Sequence, residues 1–211
     1  MYQKYLDPVV EMFTTGEYYQ QVFQAKQEYF ERAGVVYEDD AEFENRMCTF
    51  MDWYVFDRDL PAIDLPPVKF YFRKNRDLFS SEELNIYKDF CNTIHSVFYL
   101  RKVRAGVIYV KDLFSRKNYD VKDAEINMGF VSGDIFEARL IPFKGSYEFS
   151  RGFCFHPVEM EKFILGEIKK VRYQERSRQT KLILQLAAMK LKHLRYQHIG
   201  IKHIYTFDPK F

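Results

Sequence analysis

The sequence predicts an α+β protein with three parts: a helical N-terminal lobe, a small five-stranded antiparallel, partly closed β-barrel, and a long C-terminal helix. Three observations predict it. Between His95 and Phe155, short runs rich in β-branched and aromatic residues alternate with turn signals. The flanking stretches repeat their apolar residues at helical spacing. Prolines at 61, 66, 67 and 157 and glycines at 34 and 200 punctuate the joins. The expected organisation is an acidic helical lobe over residues 1–92, the barrel over 93–156, and a basic helical segment over 157–211 that packs back on the rest.

In order, Asp7-Pro8 reads as a cap for a helix over residues 9–33, with Gly34 as its stop. Gly16 weakens the middle, so two shorter helices are the alternative. Asp39 or Asp40 is expected to cap the next helix, where Phe43, Met47, Phe50 and Tyr54 make one apolar face and Thr49, Trp53 and Phe56 a second. A helix apolar on two sides belongs at the centre of its lobe, which makes Trp53 and Phe56 core anchors. The prolines at 61, 66 and 67 give an extended connection to Val68–Phe72, a short helix or a packed loop. Ser80-Ser81-Glu82-Glu83 has the form of a helix start, with acids in the first turn, for a helix to about Asn92.

The barrel begins with Ser96–Arg104, turns at Ala105-Gly106, and continues with Val107–Leu113. Tyr119–Lys122 and Ile135–Ile141 follow, each after a turn signal. Pro142 has no N–H for a ladder, so the fourth strand is expected to end or bulge there. In the fifth strand Tyr147, Phe149, Phe153 and Phe155 alternate with Glu148, Ser150, Gly152 and Cys154, which turns the phenylalanines into the barrel. A flat sheet this small would expose two edges, so it is expected to curl. Pro157 suits the first turn of a helix to about Val171, and a last helix spans Glu175 to Ile199 with Gly200 as its cap.

Composition excludes several classes. Hydrophobic residues make up 47% of the chain, too many for disorder, and 21 Phe and 16 Tyr against one Trp make aromatic packing the main source of core. No apolar run approaches a membrane span, and the first residues lack the regions of a signal peptide, so the expected location is cytoplasmic with no membrane partner. Cys48, Cys91 and Cys154 are odd in number and widely spaced, and the five histidines include no pair at i, i+4. Neither a disulfide framework, nor a metal, nor a cofactor is expected.

The order of pieces resembles an uncharacterised bacterial family in which a helical Phe-x-x-Trp-x-x-Phe-Asp-Arg segment precedes a small β domain. Here the first pattern stands as Phe50-Met51-Asp52-Trp53-Tyr54-Val55-Phe56-Asp57-Arg58. Tyr99, Val103, Gly106, Asp112-Leu113, Gly133-Asp134 and Ala138-Arg139-Leu140 are similar to the β domain's pattern. Some members of that family continue into a cysteine-rich SEC-C metal motif, which this chain lacks. The resemblance implies no activity.

Catalytic signals are weak. Asp52, Asp57, Arg58 and Asp59 beside Trp53 have the composition of an acid/base site, but ion pairing and capping at a helix end explain them more simply. Cys91 precedes His95 by four residues, yet a small buried hydrophobe is the commoner role for cysteine. Arg151-Gly152-Phe153-Cys154-Phe155 echoes the stacking strand of an RNA-recognition motif, but the preceding strands leave no room for that fold's first helix. Phosphate loops, nucleophile elbows and dinucleotide fingerprints are absent from the sequence.

Charge is the remaining signal. The net +2 conceals eleven basic side chains against two acids in residues 169–211, a net of +9 balanced by −7 elsewhere. Leu184, Ala187, Leu191, Leu194 and His198 form an apolar stripe on the last helix, and Arg178, Lys181, Gln185, Ala188, Lys192 and Arg195 a basic one. The expected function is a non-enzymatic cytoplasmic binding or regulatory module. Lys169, Lys170, Arg172, Arg178, Lys181, Lys192 and Arg195 are its candidate contacts with nucleic acid or an acidic protein. Solvation, or pairing with the acidic lobe, is the plainer explanation of the same charges. Two alternatives stand beside it: an enzyme of undetermined class using Asp52, Asp57, Arg101 or Arg104 between barrel and helices, and a structural interaction protein or homodimer. A deep polar pocket with converging ionisable groups would favour the enzyme, and a flat basic face would favour binding.

Overall fold

The structure is a computed structural model that describes residues 1–122 and 129–208; Lys210, counted among the basic residues above, lies outside them. Five helices form the N-terminal lobe: α1 (Gln3–Thr14), α2 (Tyr19–Ala33), α3 (Phe43–Phe56), α4 (Pro67–Asn75) and α5 (Ser81–Phe90). Gly16, at φ +55°, separates α1 from α2 through a 3₁₀ turn, which settles the two-helix alternative. The start of α1 departs from the sequence reading, because Pro8 lies inside the helix rather than at its first turn. The carbonyl left without an N–H partner there belongs to exposed Lys4, while buried Tyr2, Val9 and Phe13 hold the helix down.

Neither Asp39 nor Asp40 caps α3. Its flanking residue is Glu42, with no side-chain cap bond, because Asp40 accepts a hydrogen bond from the Tyr37 amide (2.7 Å) and pairs with Arg195. Val68–Phe72 lies in α4, with proline in its first turn. The start of α5 is a full capping box: the Glu83 amide donates to Ser80 Oγ (3.3 Å) and the Ser80 amide to the Glu83 carboxylate (2.9 Å).

The barrel strands are β1 (Ile94–Arg104), β2 (Val107–Asp112), β3 (Asn118–Lys122), β4 (Ile135–Phe143) and β5 (Ser146–His156). Their order, β1-β2-β3-β5-β4, closes on itself because β4 also pairs with β1. The barrel is therefore closed rather than partly open, and mixed rather than wholly antiparallel, since β3 and β5 run parallel with Val121 opposite Tyr147. Geometry requires this. Directions cannot alternate all the way around a ring of five, so closure forces one parallel neighbour pair.

The strand β4 continues through Pro142 to Phe143. The last residue that β1 pairs is Leu140, opposite Ile94, so no ladder on that side needs an N–H from Pro142. The irregularity falls elsewhere: Ala138 faces Phe153 and Leu140 faces Phe149, which leaves residues 150–152 of β5 to bulge. Phe98, Leu100, Val110, Phe136, Phe149 and Phe153 fill the interior, with Phe130 and Phe155 packed against them. The Arg-Gly-Phe-Cys-Phe echo is thus an inward-facing strand whose rings are spent on packing.

Two elements cover the outside. α3 lies so close to β5 that a Cβ added to Gly152 would sit 2.7–2.9 Å from Thr49 Cγ2, N and Cα. The Asn45 side-chain amide donates to the Phe153 carbonyl and accepts from the Phe153 amide (2.8 Å), filling the backbone pairing beside the bulge. On the other side, α6 (Glu161–Val171), α7 (Arg176–Arg195) and α8 (Ile201–Ile204) pack on Val97, Leu113, Phe114 and Ile135. α7 stops at Arg195, not Ile199, and Gly200 precedes α8 instead of capping α7. The chain turns there because Ile199, Ile201, Ile204 and Tyr205 all pack into the cluster that α6 and α7 share. No described helix is long and apolar enough to cross a membrane.

Candidate functional site

Outward-facing residues of β1 and β4 meet the end of α3 in a buried charge network. His95 and Arg139 are cross-strand neighbours. His95 Nε2 donates to Glu137 Oε1 (2.9 Å), and its Nδ1 lies 3.6 Å from Asp57 Oδ2. The Arg139 guanidinium forks onto both oxygens of Asp57, donates to Thr93 Oγ1 (2.8 Å), and lies over the Phe56 ring at 4.9 Å. Burial pushes the Asp57 and Glu137 carboxyls up, but Arg139 and His95 at Asp57, and His95 at Glu137, outweigh it and hold both below the usual carboxylate range. Arg46, at the other end of α3, donates to the Ala33 carbonyl and so neutralises the C-terminal end of α2.

Asp57 is the member of this network that reaches solvent. Its side chain is 25% exposed, against 1% for Arg139 and Glu137. It opens into a cleft of about 680 Å³ between α2, α3 and α7, walled by Arg32, Trp53, Arg176, Ser177, Lys181 and Leu184. A second cavity of about 560 Å³ continues along α7, past Ala188 and Lys192 to Tyr196, Ile199 and Phe207, and shares Arg32 and Gln185 with the first. Together they make one groove along the α2–α7 seam.

The groove sorts the candidate residues. Lys181, Gln185, Ala188 and Lys192, four members of the basic stripe, line it. Arg178 and Lys169 are exposed away from it, and Lys170 pairs with Glu167 at 2.7 Å. Arg195 is committed to the acidic lobe: it pairs with Asp40, donates to the Val35 carbonyl (2.7 Å), and packs on Tyr37. Arg172 lies at another cavity, beside the barrel. The sequence reading missed Arg32 and Arg176. Arg32 sits in the acidic lobe, where its pairing with Glu28 (3.1 Å) matches a routine helix-surface contact, and Arg176, two residues before Arg178, lies about 160° around the helix from it and off the stripe.

The four residues named for an enzyme do not come together. Asp57 lies at the cleft, whereas Arg101 and Arg104 are exposed at the far end of β1. Asp52 is half-buried against the barrel, where burial pushes its carboxyl up to about 6. Arg58 pairs with Glu28 at 2.9 Å, so ion pairing accounts for both Asp57 and Arg58. Cys91 is a free thiol pushed up by burial, the opposite of an activated nucleophile, and buried Cys154 is pushed up to about 12. Among the described residues no group of three His, Cys, Asp or Glu is arranged to hold a metal.

A family model described as a family of unknown function, DUF7986, matches residues 11–200. The chain belongs to DUF7986. No curated protein and no solved structure matches it. The matched span includes all of the charge network and most of the groove, from Arg32 through Tyr196.

Proposed function

We propose that this member of DUF7986 is a non-enzymatic cytoplasmic binding module that holds a single-stranded nucleic acid along the α2–α7 groove. One observation carries the reading. Arg176, Lys181 and Lys192, with Arg32 paired to Glu28, line a groove whose sole acidic side chain among the described residues, Asp57, is already neutralised by Arg139. A groove with that balance attracts phosphates, and the exposed rings of Tyr196 and Phe207 at its far end offer faces on which bases stack. Lys181 and Lys192 are eleven residues apart on one helix, roughly 16 Å at the α-helical rise, a span of several nucleotides.

The enzymatic reading draws support from the same cleft, since Asp57 is backed by His95 and Glu137. Its chemistry is poor for that role. A carboxylate held below its usual range, with both oxygens on Arg139, is a weak proton acceptor.

The test is binding of labelled single-stranded DNA and RNA to the parent and to the Lys181→Glu, Lys192→Glu double variant over a salt series. The variant is expected to bind all sequences more weakly and to flatten the slope of log affinity against log salt by roughly one unit per lost contact. A parent that binds neither strand at low salt overturns the proposal and leaves the stripe as a solvated face.

A further inference from the structure

We infer that a separate site for a phosphate monoester lies at one end of the barrel, where the start of β1, the β2–β3 turn and the α6–α7 corner border an open cavity of about 440 Å³. Three cations face it: Lys117 from the turn, Arg172 from the end of α6, and Arg176 from the start of α7. One carboxylate, Asp112, shares the lining, and its oxygens are already taken. Asp112 Oδ1 accepts from Ser96 Oγ (2.5 Å) and the Phe114 amide (2.9 Å), and Oδ2 accepts from Ser115 Oγ (2.5 Å). Asp112 therefore shapes the turn and forms no salt bridge with the three cations, although its charge and that of Asp57 act on Arg176, whose guanidinium also donates to the His95 carbonyl.

Among the described residues no carboxylate forms an ion pair with Lys117, Arg172 or Arg176, and Arg172 Nε is buried without a hydrogen-bond partner. A cavity lined by three cations and one carboxylate, an excess of two positive charges, is matched by a dianion with several acceptor oxygens. Thr93 adds a donor, because its Oγ1 accepts from Arg139 and its own O–H remains to be given. A phosphate monoester supplies both charges on one tetrahedral group. A carboxylate supplies only one.

The source of that group is either a free small phosphate or the 5′ end of a strand lying in the groove, because Arg176 lines both cavities and joins them. Only the second source rests on the function proposed above.

Two measurements on the full chain decide the matter. The first is the melting temperature in inorganic phosphate against chloride at equal ionic strength. The second is the affinity for 5′-phosphorylated and 5′-hydroxyl versions of one oligonucleotide. Each is repeated with Arg172→Gln and with Lys117→Gln, the latter at an exposed turn position that leaves the core untouched.

A phosphate-specific rise in melting temperature that both variants lose assigns the site to a free phosphate. A preference of about tenfold for the 5′-phosphorylated strand, lost in both variants, assigns it to a strand end. Absence of both effects in the parent, or their survival in Lys117→Gln and a folded Arg172→Gln, overturns the inference. If neither oligonucleotide binds at all, the groove reading fails, and the phosphate melt still judges this site independently.

Discussion

At the residue scale, the Asp57–Arg139 pair joins the helical lobe to the barrel. Replacing Arg139 by Ala leaves the mostly buried Asp57 carboxylate without its guanidinium partner, and is expected to cost about 3–5 kcal/mol in urea unfolding. An Arg139→Ala protein as stable as the parent would show that solvent, not the pair, balances Asp57. Two other groups, half-buried Asp52 and buried His156, make opposite claims on pH. Asp52 is raised from 3.8 to about 6 chiefly by burial, so the folded state binds more protons in that window and stability falls as pH rises through it. His156 is lowered from 6.5 to about 4, also chiefly by burial, so the unfolded state binds more protons between those values and stability rises with pH. The two slopes oppose each other between about pH 4 and 6. Relative to the parent, Asp52→Asn is expected to gain stability as pH rises from 4.5 to 6, and His156→Gln to lose it; parallel curves for parent and variants would remove the argument. Asp57 was visible in the sequence as part of Phe-Asp-Arg, but its partner Arg139 lies 82 residues away in a run that reads simply as a strand. No local pattern announces a pair formed only when β4 is set beside the end of α3.

At the element scale, the contact of α3 with β5 has no tolerance at Gly152. A methyl group there meets the Thr49 backbone well inside contact distance, so Gly152→Ala is expected to cost about 1–3 kcal/mol and to displace α3, the helix that carries Asp57. The check is a chemical denaturation midpoint, and an unchanged midpoint would mean that α3 shifts freely. Most elements were legible from local chemistry. The capping box at Ser80 and Glu83, the alternation of Phe149, Phe153 and Phe155, and the double face of α3 each state their own structure. The misplaced boundaries share another cause, tertiary demand. Pro8 is accepted inside α1 because Tyr2 is buried before it, and α7 ends early because four apolar residues beyond it are needed in the α6–α7 cluster. The basic stripe of α7 was readable as a stripe, but not as a groove wall, since its opposite side is Arg32 from another lobe.

At the scale of the whole molecule, the three apolar clusters are stitched across the parts. Ile141, Phe143 and Leu184 belong to the core of the N-terminal lobe, while Val97 and Ile135 belong to that of the C-terminal helices. The barrel is therefore covered on its outer faces, and the groove is the seam where the two covers meet. A curled, partly closed sheet was foreseeable from the need to hide edges, but not its full closure, because the odd-number constraint appears only once β4 returns to β1. That closure has a kinetic meaning. The β3–β5 contact is the parallel one, with a single registered pair among the described residues, Val121 and Tyr147, whereas β4 and β5 are joined over the length of a hairpin. Of the ring's five joints it has the fewest registered pairs among the described residues, so the cylinder should unzip there first and anneal there last. Deuterium labelling of the native protein is expected to reach the amides around Val121 and Tyr147 before those shared by β1 and β4, and uniform protection around the ring would show that it opens only as a whole.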